Sequence, residues 1–274
     1  LAPAARSDGV QAGHRPFLAR GFCLHDGQSK MMLRGRRTAG PRAPQYIRRM
    51  KDLLRRWLQA WPASCAICAG WPARPVCDDC LASHGRILPR CPGCALALAP
   101  GLERCSRCAE SGPGHLHRCL ARVDYAHPWS ALVARLKRDP AWATPLARML
   151  ADTQGLADLL RQTDLLIPIP LSPDKLRERG YNQAWELLKA LRRQLADAPS
   201  ARPDLLQRQA QTANQHELPR EQRLANALQA YSVDSAASHR LRGRRILLVD
   251  DVMTTGATLD SAAAALLAAG ATQV

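Results

Sequence analysis

Aromatic side chains are scarce in this sequence: two Phe, four Tyr and six Trp in 274 residues. At 4% they are too few for a long platform on which successive bases could stack. No apolar run approaches the roughly 18 residues needed to span a bilayer. The N-terminal stretch is basic but lacks the apolar segment of a secretory signal. No G-x-x-x-x-G-K-[ST] string is present, which excludes a Walker-type site, and no helix-turn-helix pattern stands out. The expectation is a soluble, cytoplasmic protein with no membrane span. Acidic residues are the scarcer charge, 23 Asp and Glu against 39 Lys and Arg, for a net +16.

That surplus invites a nucleic-acid reading, but it is unevenly placed. Residues 1–63 hold 13 basic and 3 acidic side chains, and residues 64–274 hold 26 and 20. Residues 1–49 are rich in Arg, Gly, Ala and Pro without sustained periodicity, so they read as a disordered basic extension. This segment is either an upstream extension of the reading frame, the preferred reading because Met50 precedes a helical pattern, or a basic arm that touches polyanions. Residues 50–62 form one amphipathic helix in this reading, with Leu53, Leu54, Trp57, Leu58 and Trp61 on one face and Pro62 as its stop.

Eight of the ten cysteines fall in C-x-x-C pairs: Cys65 and Cys68, Cys77 and Cys80, Cys91 and Cys94, Cys105 and Cys108. Without a secretory signal, metal is a better reading than disulfides. Each pair can offer two thiolates from one tight turn, and two such knuckles complete a tetrahedral site of the kind zinc accepts. Four thiolates leave no open position, so each of the two Zn2+ ions is expected to be structural. An iron–sulfur cluster or redox dithiols are the alternatives. Sequential pairing of the knuckles is the simplest, and an interleaved one stays open. Four thiolates on a divalent ion carry a net charge of −2, so two sites leave the folded part at about +2. Cys23, Cys119, His115 and His117 read as non-ligands.

The chain turns on Ile246 to Thr258, ILLVDDVMTTGAT. Ile246 to Val249 read as a short buried strand, fit for the middle of a parallel sheet. Asp250 and Asp251 follow, then the small-residue loop Thr254, Thr255, Gly256, Ala257 and Thr258, then an Ala/Leu-rich helix from Leu259 to Ala269. The free N–H groups at the start of that helix suit a phosphate, and Gly256 permits close approach of the backbone. The two carboxylates can accept hydrogen bonds from a sugar diol. A buried strand with an ordinary turn and a Thr cap is the plain alternative.

Upstream, a helical pattern through Leu132, Val133 and Leu136 ends at Lys137, before Pro140. One or two helices are expected from Leu146 to Leu160. Asp164 to Ile169 read as a second buried strand, followed by a loop with Lys175, Arg177 and Arg179, whose charges suit a pyrophosphate; a solvated helix start is the plain alternative. An amphipathic helix follows from Ala184 to Leu195. The polar stretch from Arg208 to Arg223 and Asn226 suits either a mobile loop that closes over substrate or an ordinary surface connection. Ala230 to Val233 read as a short strand. Thr272 to Val274 look like the start of another, so the sequence is expected to stop short of a whole domain. Strands alternating with helices give an α/β class with a parallel sheet.

The string from Ile246 to Thr258 resembles the motif by which type I phosphoribosyltransferases bind 5-phosphoribosyl 1-pyrophosphate (PRPP) as its Mg2+ complex. The ordered pieces resemble the ComF family of late-competence, amidophosphoribosyltransferase-like proteins from about residue 62 onward. The marks are the double cysteine ribbon, Tyr125 to Lys137, PIPL with RERGYNQA from Pro168 to Ala184, the Arg208 to Asn226 string, and LLVDDVMTTGAT. The resemblance implies an α/β, type I phosphoribosyltransferase-like domain at 121–274, preceded at 63–120 by a small four-cysteine double zinc-ribbon module. It implies that Asp250 and Asp251 hold the ribose hydroxyls, that residues 254–258 cradle the 5′-phosphate, and that Lys137 belongs to the site. Lys175, Arg177 and Arg179 would stabilise departing pyrophosphate, with Arg208 and Arg223 on the closing loop.

A role in natural competence is also implied, handling imported single-stranded DNA beside competence helicase or channel proteins. Three functions compete. The first is a phosphoribosyltransferase, whose acceptor the sequence does not reveal and which could be a generic enzyme of nucleotide salvage. The second is a non-catalytic module binding phosphate-ribose or single-stranded DNA. The third is a transcriptional regulator, weakened by the missing helix-turn-helix.

Overall fold

The computed structural model describes residues 63–110, 114–195, 197–209 and 230–274. The expected 1–49 extension, the 50–62 helix and Arg223 lie outside them. The first described elements are short helices that follow cysteine knuckles: α1, Asp78–His84, and α2, Ser106–Glu110. Then come α3 (Trp129–Leu136), α4 (Ala143–Ala151) and α5 (Leu156–Arg161), so the stretch expected to hold one or two helices holds two. Strand β1 (Leu165–Pro168) leads through α6 (Pro173–Arg179) and α7 (Gln183–Gln194) to β2 (Ser200–Ala201). A small antiparallel pair, β3 (Gln207–Arg208) and β4 (Tyr231–Ser232), precedes β5 (Ile246–Val249) and the last helix α8 (Ala257–Ala268).

The main sheet is parallel, in the order β2-β1-β5. On the far side of β5, Gln273 forms a parallel bridge with Arg245, and its carbonyl accepts a 2.8 Å hydrogen bond from Ile246 N–H. Where an extra strand was expected the described residues form one bridge, which gives β5 a neighbour on each side. Side chains alternate across β1. Leu166 enters one core with Leu187, Leu188 and Leu191 of α7, whereas Ile167 enters another with Ala262, Ala263 and Leu266 of α8. Both faces are thus covered, which is why these strands read as continuous apolar runs. Helix α7 starts where Asn182 caps Trp185 N–H, and its leucines recur at helical spacing. Each fully buried leucine contributes about 1.5–3 kcal/mol.

The cysteine region packs on this domain. Trp129, Leu132 and Met149 bury against Ile67, Val76 and Leu81, and Trp129 Nε1–H donates to the His84 carbonyl at 3.0 Å. No helix among the described residues is long and apolar enough to cross a membrane.

Candidate functional site

Topology decides where a ligand crevice opens. From β1 the chain winds through α7 to β2 on one side, and from β5 it winds through α8 to Gln273 on the other. Strands β1 and β5 are neighbours in register, Pro168 opposite Val249, so their following loops leave the sheet together. Connections that part in opposite directions leave a crevice at the carboxyl ends of the two strands, and that is where open α/β sheets bind ligands.

Asp250 and Asp251 stand at this edge. Asp250 Oδ1 accepts the Asp251 N–H at 2.8 Å. Burial, then the adjacent Asp251 charge, push the Asp250 carboxyl up to about 8. The Asp251 side chain is only 5% exposed, and Lys137 Nζ lies 3.4 Å from its Oδ2. That contact is an ion pair without hydrogen-bond alignment, so Oδ2 is buried and accepts no hydrogen bond. Its other oxygen, Oδ1, accepts from Gln183 Nε2 at 3.2 Å. Gln183 Oε1 in turn accepts from Arg179. The carboxylate is therefore held from two helices, α3 through its C-cap Lys137 and α7 through its first residue.

The loop beyond the carboxylates leaves Thr254, Thr255, Ala257 and Thr258 exposed. Gly256 has φ +82° and is the N-cap of α8, with no side chain to satisfy the first N–H groups of the helix. Thr255 Oγ1 accepts from Ala257 N–H at 3.4 Å. The N–H groups beyond Ala257, at the positive end of a twelve-residue helix, suit an anion.

Lys175, Arg177 and Arg179 follow the alternative reading, a helix start: they ride on α6, a short exposed helix capped by Ser172, with Gly180 at φ +78° as its stop. Ser172 at the N-cap and Pro173 at the first helical position explain the helix. Arg177 pairs with Asp174 one turn back, while Arg179 turns inward to Gln183. Arg208, on β3, places its guanidinium 5.6 Å from the centre of the Tyr231 ring. The residues brought together around the carboxylates are thus Lys137, Arg179, Asp250 and Asp251, whereas Arg208 belongs to the β3–β4 ladder. Gln183 had no role assigned from sequence, although it lies inside the RERGYNQA string. A neutral amide carries no chemical signal of its own until its partner is known.

The cysteines fall into two sets, Cys65, Cys68, Cys77 and Cys80, and Cys91, Cys94, Cys105 and Cys108, with the sulfurs of each set within 4.8 Å of one another. Pairing is sequential. Cys68 and Cys77 sulfurs are 3.8 Å apart and those of Cys94 and Cys105 3.6 Å. A tetrahedral zinc at ~2.3 Å from each sulfur requires about 3.8 Å between sulfurs, so the residues fit the ion. Burial opposes ionisation of Cys65, but N–H donors from Cys68, Cys77 and Ile67 outweigh it and lower the thiol to about 6. Cys91 is likewise lowered to about 6, against burial, by donors that include Cys105 and Gly93. Burial and the neighbouring sulfurs push Cys108 up to about 12. Four thiolates share one such cage only around a cation. Among the described residues, Cys119, His115 and His117 join neither set.

Residues 183–274 match a phosphoribosyl transferase domain. Competence protein F of Haemophilus influenzae is 36% identical over 141 residues, which cover 50% of this chain and 60% of that protein. DNA utilization protein YhgH of Escherichia coli O157:H7 is 32% identical over 171 residues, 59% of this chain and 71% of the relative. Competence protein ComFC of Bacillus subtilis is 35% identical over 106 residues, 39% of either chain. No solved structure gives a significant match. The parallel sheet, the twin four-cysteine sets and relatives named for competence and DNA utilization together establish that this chain belongs to the ComF family.

Proposed function

We propose that the chain binds PRPP at the carboxyl ends of β1 and β5 and works in the uptake or use of single-stranded DNA. The observation that carries the reading is the pair Asp250 and Asp251 at the end of an interior parallel strand, followed by Gly256 at φ +82° and the open N-terminus of α8. In this reading the two carboxyl groups accept the ribose hydroxyls, and Asp251 Oδ2 has acceptor capacity that no hydrogen bond uses. The N–H groups and hydroxyls of 254–258 hold the 5′-phosphate. Arg179, with Lys175 and Arg177 on the same helix, faces the pyrophosphate.

Among the described residues the groups of three or more potential metal ligands are the two cysteine sets, so Mg2+ would arrive with the pyrophosphate oxygens. It would supply charge neutralisation there. The protein's own contribution is positioning and fixed charge. An acceptor would enter through a cavity of about 560 Å³ that reaches from Asp250, Asp251 and Met253 to Leu116 and Tyr125 and on to Arg107 beside the second cysteine set. The zinc-ribbon region would then form one wall of the acceptor site, and competence helicase or channel proteins would be partners outside it. The relatives' names, competence protein F and DNA utilization protein YhgH, support a role in DNA handling.

Calorimetric titration of PRPP·Mg2+ into the zinc-loaded chain, with pyrophosphate release followed as single-stranded DNA and free bases are added, tests the reading. Binding with release assigns a transferase, and binding without release assigns a phosphate-ribose module. No binding overturns the site.

A further inference from the structure

Three consecutive residues, Tyr181, Asn182 and Gln183, each tie the start of α7 to a different part of the crevice. The Tyr181 hydroxyl donates to the Leu136 carbonyl, beside Lys137 at the end of α3. Asn182 Nδ2 donates to the Ile169 carbonyl at 2.9 Å, while its Oδ1 caps α7 by accepting the Trp185 N–H. Ile169 N–H in turn donates to the Val249 carbonyl, so this tie reaches the end of the β1–β5 ladder, one residue before Asp250. Gln183 completes the set. Its Nε2 donates to Asp251 Oδ1 at 3.2 Å, and its Oε1 accepts from Arg179. The side chain is buried, with the residue 6% exposed, and both ends of the amide are engaged.

The chemistry of its neighbours fixes which way that amide points. A guanidinium only donates and a carboxylate only accepts, so Oε1 must face Arg179 and Nε2 must face Asp251. A flipped amide would set donor against donor and acceptor against acceptor. Gly180, at φ +78°, turns the chain at the end of α6 and brings Arg179 back onto the residue four positions later. A cation on Oε1 polarises the amide and strengthens Nε2–H as a donor to the carboxylate. Arg179 keeps further N–H groups for a ligand. We infer that Gln183 is a positioning residue that couples the two ends of the ligand, because it joins Arg179, which faces the pyrophosphate, to Asp251, which faces the ribose hydroxyls. The role in binding rests on the PRPP reading of the crevice, whereas the coupling of Arg179 to Asp251 belongs to the free chain. A ligand that carries pyrophosphate fixes Arg179 and, through the amide, fixes Asp251 against the ribose. Ribose 5-phosphate leaves Arg179 unengaged and gains less from Asp251. Gln183 therefore widens the preference for the pyrophosphorylated sugar over the sugar monophosphate.

The test has two arms, both on the zinc-loaded full chain. The first needs no ligand. Chemical denaturation of Arg179→Met, Asp251→Ala and the double variant gives non-additive losses in the parent chain and near-additive losses in the Gln183→Met background. The second is calorimetry with PRPP·Mg2+ and with ribose 5-phosphate. Gln183→Met weakens PRPP binding by about tenfold, the loss of one hydrogen bond to a charged group, and weakens ribose 5-phosphate less. Inorganic phosphate still shifts the amides of 254–258 as in the parent. Gln183→Glu keeps the length and the acceptor for Arg179 but sets a like charge against Asp251, so it binds PRPP less well than Gln183→Met. A merely structural glutamine would weaken all three ligands alike and would tolerate the isosteric Gln183→Glu. The same non-additivity in both backgrounds, equal weakening of the three ligands, or a Gln183→Glu chain that binds PRPP as well as Gln183→Met overturns the positioning role. A parent chain that does not bind PRPP overturns the reading of the crevice instead, and the ligand-free cycle then decides the coupling by itself.

Discussion

Lys137 Nζ stands 3.4 Å from Asp251 Oδ2 although the two residues are 114 positions apart in the chain. The pair joins the C-terminal end of α3 to the carboxyl end of β5, and it sets the charge of the crevice. The Asp251 side chain is only 5% exposed, and this cation and Gln183 are the partners that hold it.

Replacing Lys137 by Met removes the cation and leaves the carboxylate facing Gln183 alone. Lys137 is 35% exposed, so solvent already screens the pair, and the expected loss of stability is only about 1 kcal/mol. PRPP affinity falls further in this variant, and Asp251→Ala abolishes it. Chemical denaturation and calorimetry separate the two effects; unchanged affinity in Asp251→Ala would remove the ribose role from this residue.

Asp250 gives the pH dependence its sign. Its carboxyl is raised from 3.8 to about 8 on folding, so between those values the folded chain binds the extra proton. Nothing is lost below pH 3.8, where both states are protonated; stability falls as pH rises through the window and levels off above 8. Asp250→Asn flattens this part of the profile and makes the protein more stable than the parent at high pH. Melting curves across the window check it, and parallel profiles for the two proteins would contradict it.

The cysteine sets predict separable metal losses. Cys65→Ser lowers bound zinc by about one ion per chain and loosens the first knuckle pair. Cys91→Ser does the same to the second. Elemental analysis after gel filtration reads both, and full metal retention in either variant would argue against four-thiolate coordination.

Gly256 tests the anion loop. Its φ of +82° strains any residue with a Cβ, and that Cβ would meet Met253 Cε at 2.7 Å. The methionine end is flexible and can move, so the backbone dominates at about 1–2 kcal/mol. Gly256→Val therefore costs stability and affinity together, whereas Gly256→Asn keeps most of both. Equal behaviour of the two variants would show that the loop adopts another conformation.

Much of the fold was legible because its signals are local. The apolar tetrad Ile246 to Val249, the small-residue loop and the Ala/Leu run need no distant partner to be read as strand, turn and helix. The C-x-x-C spacing likewise fixes a knuckle by itself. Lys175, Arg177 and Arg179 were harder. Their charges suit a ligand loop as well as a helix start, and Ser172 with Pro173 decides for the helix, since capping outweighs composition over a span of seven residues. Gln183 carried no signal, since an amide acquires meaning only from what faces it.

The sequence by itself determined the strand–carboxylate–loop–helix order and the eight thiols, because periodicity and short spacings are properties of the local chain. Tertiary packing set the sequential pairing of the knuckles and the approach of Lys137 and Gln183 to Asp251. Those contacts depend on how helices pack across the two faces of a parallel sheet, and burial of apolar surface, which drives that packing, is blind to which polar groups it brings together.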